Sequence, residues 1–300
     1  MAKARNFFGL RTGSTKTKTY SILNGWQIEK DRVYGGKNPR TNAQMRQRMV
    51  MATASAAYSG MREICDHSFQ GTTYGQPTMS KFISENSKLL LQALISQNAT
   101  WAFNPYQDRN IYRNPYLVSK GTIQNNSTVA IDEINDGTVF IDWTFPAITA
   151  QTIFSDFLQN VGIGQNGYIT FLAIVNDPVD NISKFGWVRL TPKKEEIYDV
   201  MERYNINELF DIESNVEFEG DQSFVVGNRI SIPMTFDAVT YFCGCCGIIL
   251  SDKKLGWQRS TCRMVVHFPN NPTYNPSPAE QALATYPVGT DYVLNGGSIY

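Results

Sequence analysis

Charge is scarce in this chain, and histidine scarcer. Of 300 residues only 18% are Asp, Glu, Lys or Arg, and His occurs twice. A sequence so poor in charge and so rich in aromatics (12%) is neither a disordered polyelectrolyte nor a coiled coil, since both need charged residues in quantity. Long apolar runs are also missing. No stretch approaches the ~18 apolar residues of a membrane-spanning helix, and the longest, Tyr241–Leu250, is broken by glycine. The opening Met1-Ala-Lys-Ala-Arg-Asn-Phe-Phe-Gly lacks the apolar centre of a secretory signal, so the expectation is cytoplasmic synthesis without a membrane partner.

Cysteine is too sparse and too awkwardly spaced for a disulfide framework. There are five, an odd number, and three crowd into Cys243-Gly-Cys245-Cys246. On a strand, adjacent Cys245 and Cys246 point to opposite faces. Buried thiols in a reducing compartment fit better. Cys243 and Cys246, with Cys262 and His267, could in principle supply four zinc ligands. The first pair lies within a strand-like run with no turn to converge the sulfurs, so no metal is expected.

Catalytic motifs are equally thin. Gly9-Leu-Arg-Thr-Gly13-Ser-Thr-Lys16 lacks the Gly-Lys-Ser/Thr of a phosphate loop and the apolar strand before it. Cys65-Asp66-His67 are neighbours in sequence, and a nucleophile and its base normally come from distant positions; a helix C-terminus is the simpler reading. Asp132/Glu133 and Glu195/Glu196 are paired only along the chain, whereas acid–base hydrolysis needs facing carboxyls. Asp211, Glu213, Glu217, Glu219 and Asp221 lack the spacing of a calcium loop. The chain is therefore read as a non-enzyme without a cofactor.

What the sequence does have is polarity of charge. The first 50 residues hold eleven Lys or Arg against Glu29 and Asp31, a net +9; the remaining 250 hold 16 basic and 25 acidic residues, a net −9. A basic arm on an acidic body suits a polyanion or an acidic neighbour. Cations bind nucleic acid by releasing condensed counterions, and Phe7, Phe8, Tyr20, Trp26 and Tyr34 could stack on unpaired bases. The candidate contact residues are Arg5, Arg11, Lys16, Lys18, Arg40, Arg46 and Arg48. The arm could equally engage the acidic body of another copy, because the two carry equal and opposite charge.

Along the chain, residues 1–38 read as a basic N-terminal arm or hairpin, with short strands at Tyr20–Ile28 and Arg32–Tyr34. Pro39 disfavours helix at Asn38. Thr41 and Gln44 form a capping box, so a helix should start there and run to about Ile64, with Met45, Met49, Ala52, Ala56 and Met61 near one face. A second helix is expected over Thr78–Ser96, with Phe82, Leu89, Leu90 and Ala93 apolar. Residues 39–97 would thus be a helical pair. A connector rich in Trp, Phe and Tyr follows at Asn98–Pro115. From Tyr116 the period becomes two, with strands expected at Leu117–Gln124, Ser127–Ile134, Thr138–Thr144, Tyr168–Asn176, Phe185–Thr191, Arg229–Thr235, Thr240–Leu250 and Arg263–Phe268. They imply a two-sheet sandwich or jelly roll over 116–268, with Trp143 and Trp187 in its core. An insertion at 193–221 is expected as a helical stretch, Lys193–Leu209, followed by an acidic excursion. The Pro-rich tail, 269–300, fits either an extended arm along a neighbouring subunit or disorder.

Several stretches together resemble an uncharacterised family of proteins from gut Bacteroidales and their phages or mobile elements. They are the Gly/Thr/Lys-rich N-terminal hairpin, Asn38-Pro39-Arg40-Thr41 with Gln44 and Arg48, His67-Ser68-Phe69-Gln70-Gly71, Ile141-Asp142-Trp143, Tyr168–Asp177, Phe185–Pro192, and Tyr241–Asp252 with Ser260. The resemblance implies a helical N-terminal part followed by an immunoglobulin-like or jelly-roll-like antiparallel sandwich, and it brings no catalytic residue. The insertion and the Pro-rich tail depart from the shorter members.

The expected protein is mainly β with an N-terminal helical pair. The expected role is that of a structural virion-type subunit (capsid, coat or other assembly component) that forms homo-oligomers and sets its basic arm on DNA, RNA or an acidic neighbour. The alternative is a soluble nucleic-acid-binding accessory protein without shell-forming activity.

Overall fold

The computed structural model describes residues 2–4, 12–23, 26–32, 41–125, 127–135, 138–145, 152–153, 158, 162–164, 166–177, 182–193, 197–199, 201–218, 222–236, 243–253 and 257–267, apart from 97–114. The chain forms two compact units, Met1–Thr41 and Asn42–Tyr300. The connector 98–114 and the tail 268–300 lie outside the described residues.

The first unit is an antiparallel sheet of β1 (Ala2–Ala4), β2 (Gly13–Ser14), β3 (Lys18–Leu23) and β4 (Trp26–Asp31), in the order β1-β4-β3-β2. Leu23 pairs with Trp26 and Lys18 with Asp31. The hairpin pairing therefore closes at Leu23 and Trp26, inside the expected strand Tyr20–Ile28. Asn-Gly is the strongest two-residue hairpin signal, because both residues tolerate positive φ. The sequence carries that signal at positions 24 and 25, and the pairing that flanks it replaces the expected turn between Ile28 and Arg32.

The second unit begins with α1 (Asn42–Gly60), α2 (Arg62–Cys65) and α3 (Gln76–Ser96). Helix α1 starts one residue after Thr41. Among the described side chains its buried positions are Met49, Val50, Ala52, Thr53, Ala54, Ala57, Tyr58 and, just beyond its end, Met61. The buried face includes the expected Met49, Ala52 and Met61 but is wider than expected, Ala56 is only half-buried, and the Met45 side chain lies outside what is described. Helix α3 buries Thr78, Phe82, Asn86, Leu89 and Leu90, again at helical spacing. The rings of Tyr58 and Phe82 meet at 5.7 Å where α1 and α3 pack.

The strands follow. In chain order they are β5 (Leu117–Ser119), β6 (Thr128–Asn135), β7 (Thr138–Thr144), β8 (Thr152–Ile153), β9 (Tyr168–Asp177) and β10 (Ile182–Pro192). Next come β11 (Ile197–Tyr198), β12 (Arg203–Asn205), the single turn α4 (Ile206–Leu209), β13 (Phe210–Ser214), β14 (Phe224–Val226) and β15 (Arg229–Thr235). The last are β16 (Cys243–Lys253), β17 (Trp257–Arg259), β18 (Cys262–Arg263) and β19 (Val265–His267). The molecule is mainly β, and the strand pairings of its sheets are antiparallel.

Two of these sheets face each other. The central one runs β13-β10-β9-β16-β17, with β19 also on β16; the outer one runs β12-β14-β15-β7-β6. Between them lie Ile141, Trp143, Ile230, Ile232 and Met234 from the outer sheet and Phe171, Ala173, Val188, Leu190, Cys246 and Ile248 from the central one. The opposite face of the central sheet, with Leu172, Ile174, Trp187, Cys245 and Ile249, packs on residues of α1 and α3. Layers therefore stack as helices, central sheet, outer sheet. This double coverage explains why Ile169–Val175 on β9 is buried without interruption: a strand covered on both faces loses its apolar–polar alternation.

Three expectations need correction. Among the described residues of 193–209 the only helix is the single turn α4, and the stretch contributes β11 and β12. The acidic excursion begins instead as β13, an edge strand hydrogen-bonded to β10, with Thr191 opposite Asp211 and Arg189 opposite Glu213. Its Phe210 is buried in the sandwich, and that anchor outweighs the poor strand propensity of its acids. Trp187 is buried, but against the helices; Trp143 alone of the two lies between the sheets.

Candidate functional site

Of the seven candidate cations, Arg5, Arg11 and Arg40 lie outside the described residues. Lys16 is exposed in the bend between β2 and β3. Lys18, on β3, forms an ion pair with Glu29 across the hairpin. The hydrogen bond that Lys18 Nζ donates to the Glu29 carboxylate, reinforced by that carboxylate's charge, raises the Lys18 pKa. This cation is thus partly answered by an acid of its own sheet. Arg46 and Arg48 belong to the other unit, exposed on α1; two residues apart on a helix, they do not share a face.

The charge division survives in the structure. Residues 1–41 hold nine basic and two acidic side chains, a net +7, and 42–300 carry the compensating −7. The unit boundary after Thr41 therefore separates a net positive from a net negative stretch, although the first charges beyond it, Arg46, Arg48 and Arg62, are still basic.

The second unit holds a cluster that sequence reasoning did not single out. On the helix-facing side of the central sheet, α1 and α3 cover the part around Leu172, Ile174, Cys245 and Ile249. Further along the same face, cations and aromatic rings alternate from strand to strand. Lys253 Nζ lies 5.6 Å from the centroid of Trp257, and Arg259 Cζ lies 4.6 Å from the same ring. Arg259 is also 5.5 Å from Tyr168, and Arg189 is 4.7 Å from Tyr168 and 5.0 Å from Trp187. Tyr168 and Trp257 meet edge to face at 5.4 Å. Register dictates the alignment. Ser251 is opposite both Tyr168 and Arg259, and Lys253 is opposite Trp257; residues directly across an antiparallel pair share a face.

The loop after α2 positions Arg259. Arg259 Nε donates to the His67 carbonyl at 3.0 Å, and its backbone N–H donates to Gln70 Oε1 at 3.4 Å. Ser68 Oγ donates to the carbonyls of Cys65 and Val118, and Ser119 Oγ to those of Ser68 and Ser260. The His67-Ser68-Phe69-Gln70-Gly71 stretch thus ties β5 and β17 together. Burial lowers the Arg259 pKa from its ordinary value. Among the described residues Arg259 pairs with no carboxylate. Arg189 Nη1 reaches Glu213 at 2.7 Å, while Arg189 Nε and the Ser251 Oγ beneath the row are buried without hydrogen-bond partners. Trp187 Nε1 donates to Glu63 at 2.9 Å. The overlooked signals are Trp187-x-Arg189 and Lys253-x-x-x-Trp257-x-Arg259, period-two spacings that put ring and cation on one face.

An open groove of about 400 Å³ lies nearby, lined by residues including Phe69, Gln70, Lys81, Lys120 and Gly121. Both lysines pair with Glu85, at 3.1 and 2.9 Å, so the groove offers little net attraction to an anion.

The remaining polar candidates are structural. The Asp66 carboxylate accepts from Tyr58 Oη, Arg62 Nε and the Gly75 N–H. Burial pushes its pKa up, but these hydrogen bonds outweigh burial and hold it below the ordinary value. His67 turns its ring to Tyr74, at 6.0 Å. Cys246 lies between the sheets, whereas Cys245 and Cys262 lie on the helix side, so the sheet separates Cys246 from Cys262. The side chains of Cys243, Asp132 and Glu133, and the residues Glu195, Glu196, Glu219 and Asp221 altogether, fall outside what is described. Among the described residues no cluster of His, Cys, Asp and Glu is arranged to hold a metal ion, and no helix is long and apolar enough to cross a membrane.

Compared with protein-family models, curated proteins and solved structures, the chain finds no match.

Proposed function

We propose that this chain is a structural assembly subunit of virion type, a phage capsid, coat or related component. It self-associates and sets a cationic N-terminal unit on nucleic acid or on the acidic body of a neighbouring copy. The sandwich is assigned, within the same proposal, to the immunoglobulin-like or jelly-roll-like kind. The observation that carries this reading is the coincidence of a structural boundary with a reversal of charge: a separate unit of net +7 precedes a body of net −7. Opposite potentials on two units of one chain drive association between copies and steer it toward one orientation. The resemblance to phage-associated proteins points the same way.

Size-exclusion chromatography with light scattering, followed by electron microscopy, tests it. The expected result is concentration-dependent growth into particles, rings or filaments that high salt disperses. A monomer that persists at micromolar concentration, with and without nucleic acid, overturns it.

The aromatic–cation row on the central sheet favours a second reading, the nucleic-acid-binding accessory protein. That protein would stay a small oligomer while binding DNA or RNA with a steep salt dependence.

A further inference from the structure

The row Lys253–Trp257–Arg259–Tyr168–Arg189 is more than a way to finish a sheet face. A stack built only for stability would bury its rings and neutralise its cations. Here Trp257 is 45% exposed and Lys253 is exposed at its edge. Arg259 is 4% exposed, held by the carbonyls of His67 and Gln258 at 3.0 and 3.2 Å. A guanidinium fixed this way keeps its full charge beneath the indole. The carboxylate facing Arg189, Glu213, has a side chain 65% exposed, and such an edge pair is weak and easily exchanged. Glu63, the other acid nearby, is engaged by the Trp187 indole. The face therefore combines an exposed ring with cations that are answered by backbone or by a replaceable partner. Two buried polar atoms beside it, Arg189 Nε and Ser251 Oγ, have no hydrogen-bond partner.

We infer that this face binds single-stranded nucleic acid: an unpaired base stacks on Trp257, and the flanking phosphates lie against Lys253 and Arg189. Both elements are needed. Aromatic side chains recognise the π-face that every base carries, and cations track the backbone. Duplex DNA, with its bases stacked inside, satisfies only the second. An acidic peptide likewise offers charge without a planar ring, and would leave Trp257 unused. This site lies on the body and does not depend on the cationic N-terminal unit, so it extends the proposed function without resting on it.

The test uses the full-length protein with two probes of equal length and phosphate count, a short oligothymidylate and its abasic counterpart. Affinity is measured by anisotropy, and stacking by quenching of tryptophan fluorescence. The oligothymidylate should bind roughly tenfold more tightly than the abasic strand, the scale of one base–aromatic stack. Trp257→Ala should erase that preference and most of the quenching. Trp257→Phe, which keeps a ring, should restore much of the preference and guards against a folding defect. Lys253→Ala should weaken both probes alike.

Equal affinity for the two probes overturns the inference, as does a preference that survives Trp257→Ala. Displacement of the oligothymidylate by oligoglutamate at equal charge also overturns it and points to an acidic peptide. In the first case, residual salt-dependent binding would still be available to the N-terminal unit. Absence of binding to either strand removes this site and the nucleic-acid arm together, and leaves only assembly through the acidic body.

Discussion

Asn86, in the middle of α3, holds both backbone groups of Leu117. Its Nδ2 donates to the Leu117 carbonyl at 3.0 Å, and its Oδ1 accepts the Leu117 N–H at 2.8 Å. The amide thus acts as a neighbouring strand would, docking α3 on β5, and both residues are buried. Asn86→Ala strands two backbone groups away from water, each at a cost of ~1–3 kcal/mol. Urea denaturation should show a loss of about 2–5 kcal/mol with an unchanged m-value. An unaltered midpoint would mean that the pairing contributes nothing.

Asp66 makes stability depend on acid. Its folded pKa lies below the ordinary value, so its stabilising contribution is complete above the unfolded pKa of ~3.9. That contribution is lost as pH falls through the depressed folded value. Asp66→Asn should lower stability on the order of 1 kcal/mol at neutral pH, and the gap to wild type should close as pH drops below about 4. Thermal melts at a series of pH values check this. A gap that stays constant into strong acid would show that charge on Asp66 is irrelevant.

Gly121 sits against the backbone of β17. A Cβ added there would lie 1.9 Å from the Arg259 carbonyl oxygen, the atom that accepts the Ile123 N–H at 2.9 Å. Backbone cannot rotate away as a side chain can. Gly121→Ala should therefore destabilise by roughly 1–3 kcal/mol or more and disturb the neighbouring Arg259. Wild-type stability, with unchanged oligonucleotide binding, would contradict the packing.

Cys65, Cys245, Cys246 and Cys262 are buried. Burial raises the thiol pKa of Cys65 and of Cys246, and it pushes that of Cys262 up to about 12. Only the thiolate reacts appreciably. Native protein should thus resist Ellman's reagent at these positions until denaturant is added. Rapid labelling of Cys262 in the native state, seen by peptide mass, would contradict this.

Lys16 and Lys18 should behave differently towards a polyanion. Lys18 already has Glu29, so engaging phosphate there gives up an existing ion pair; Lys16 is exposed. Lys16→Ala should flatten the salt dependence of oligonucleotide binding by up to about one counterion, and Lys18→Ala by less. Equal effects would mean that the hairpin ion pair does not compete.

Local pattern was legible where one element carries the whole message. Thr41 announces α1, the period-two runs announce β7 and β15, and strand geometry alone puts Cys245 and Cys246 on opposite faces. The hairpin turn was misplaced although Asn24-Gly25 stood in plain view, because Tyr20–Ile28 reads as one apolar–polar run. Strand β13 was hidden for a different reason. Its acids argue for a loop, and only pairing with β10 and burial of Phe210 make it a strand.

The aromatic–cation row was harder still. Its members come from β9, β10, β16 and β17, separated by up to 91 residues between Tyr168 and Arg259, and no local spacing links Tyr168 to Trp257. Composition and charge order along the chain determined that a cationic N-terminal segment precedes an acidic, β-rich body, since those properties need no contacts. Which strands meet, which faces the helices cover and which cations are left facing solvent was decided by tertiary structure. Cross-strand register and burial are properties of pairs of distant segments, and a linear sequence does not display them.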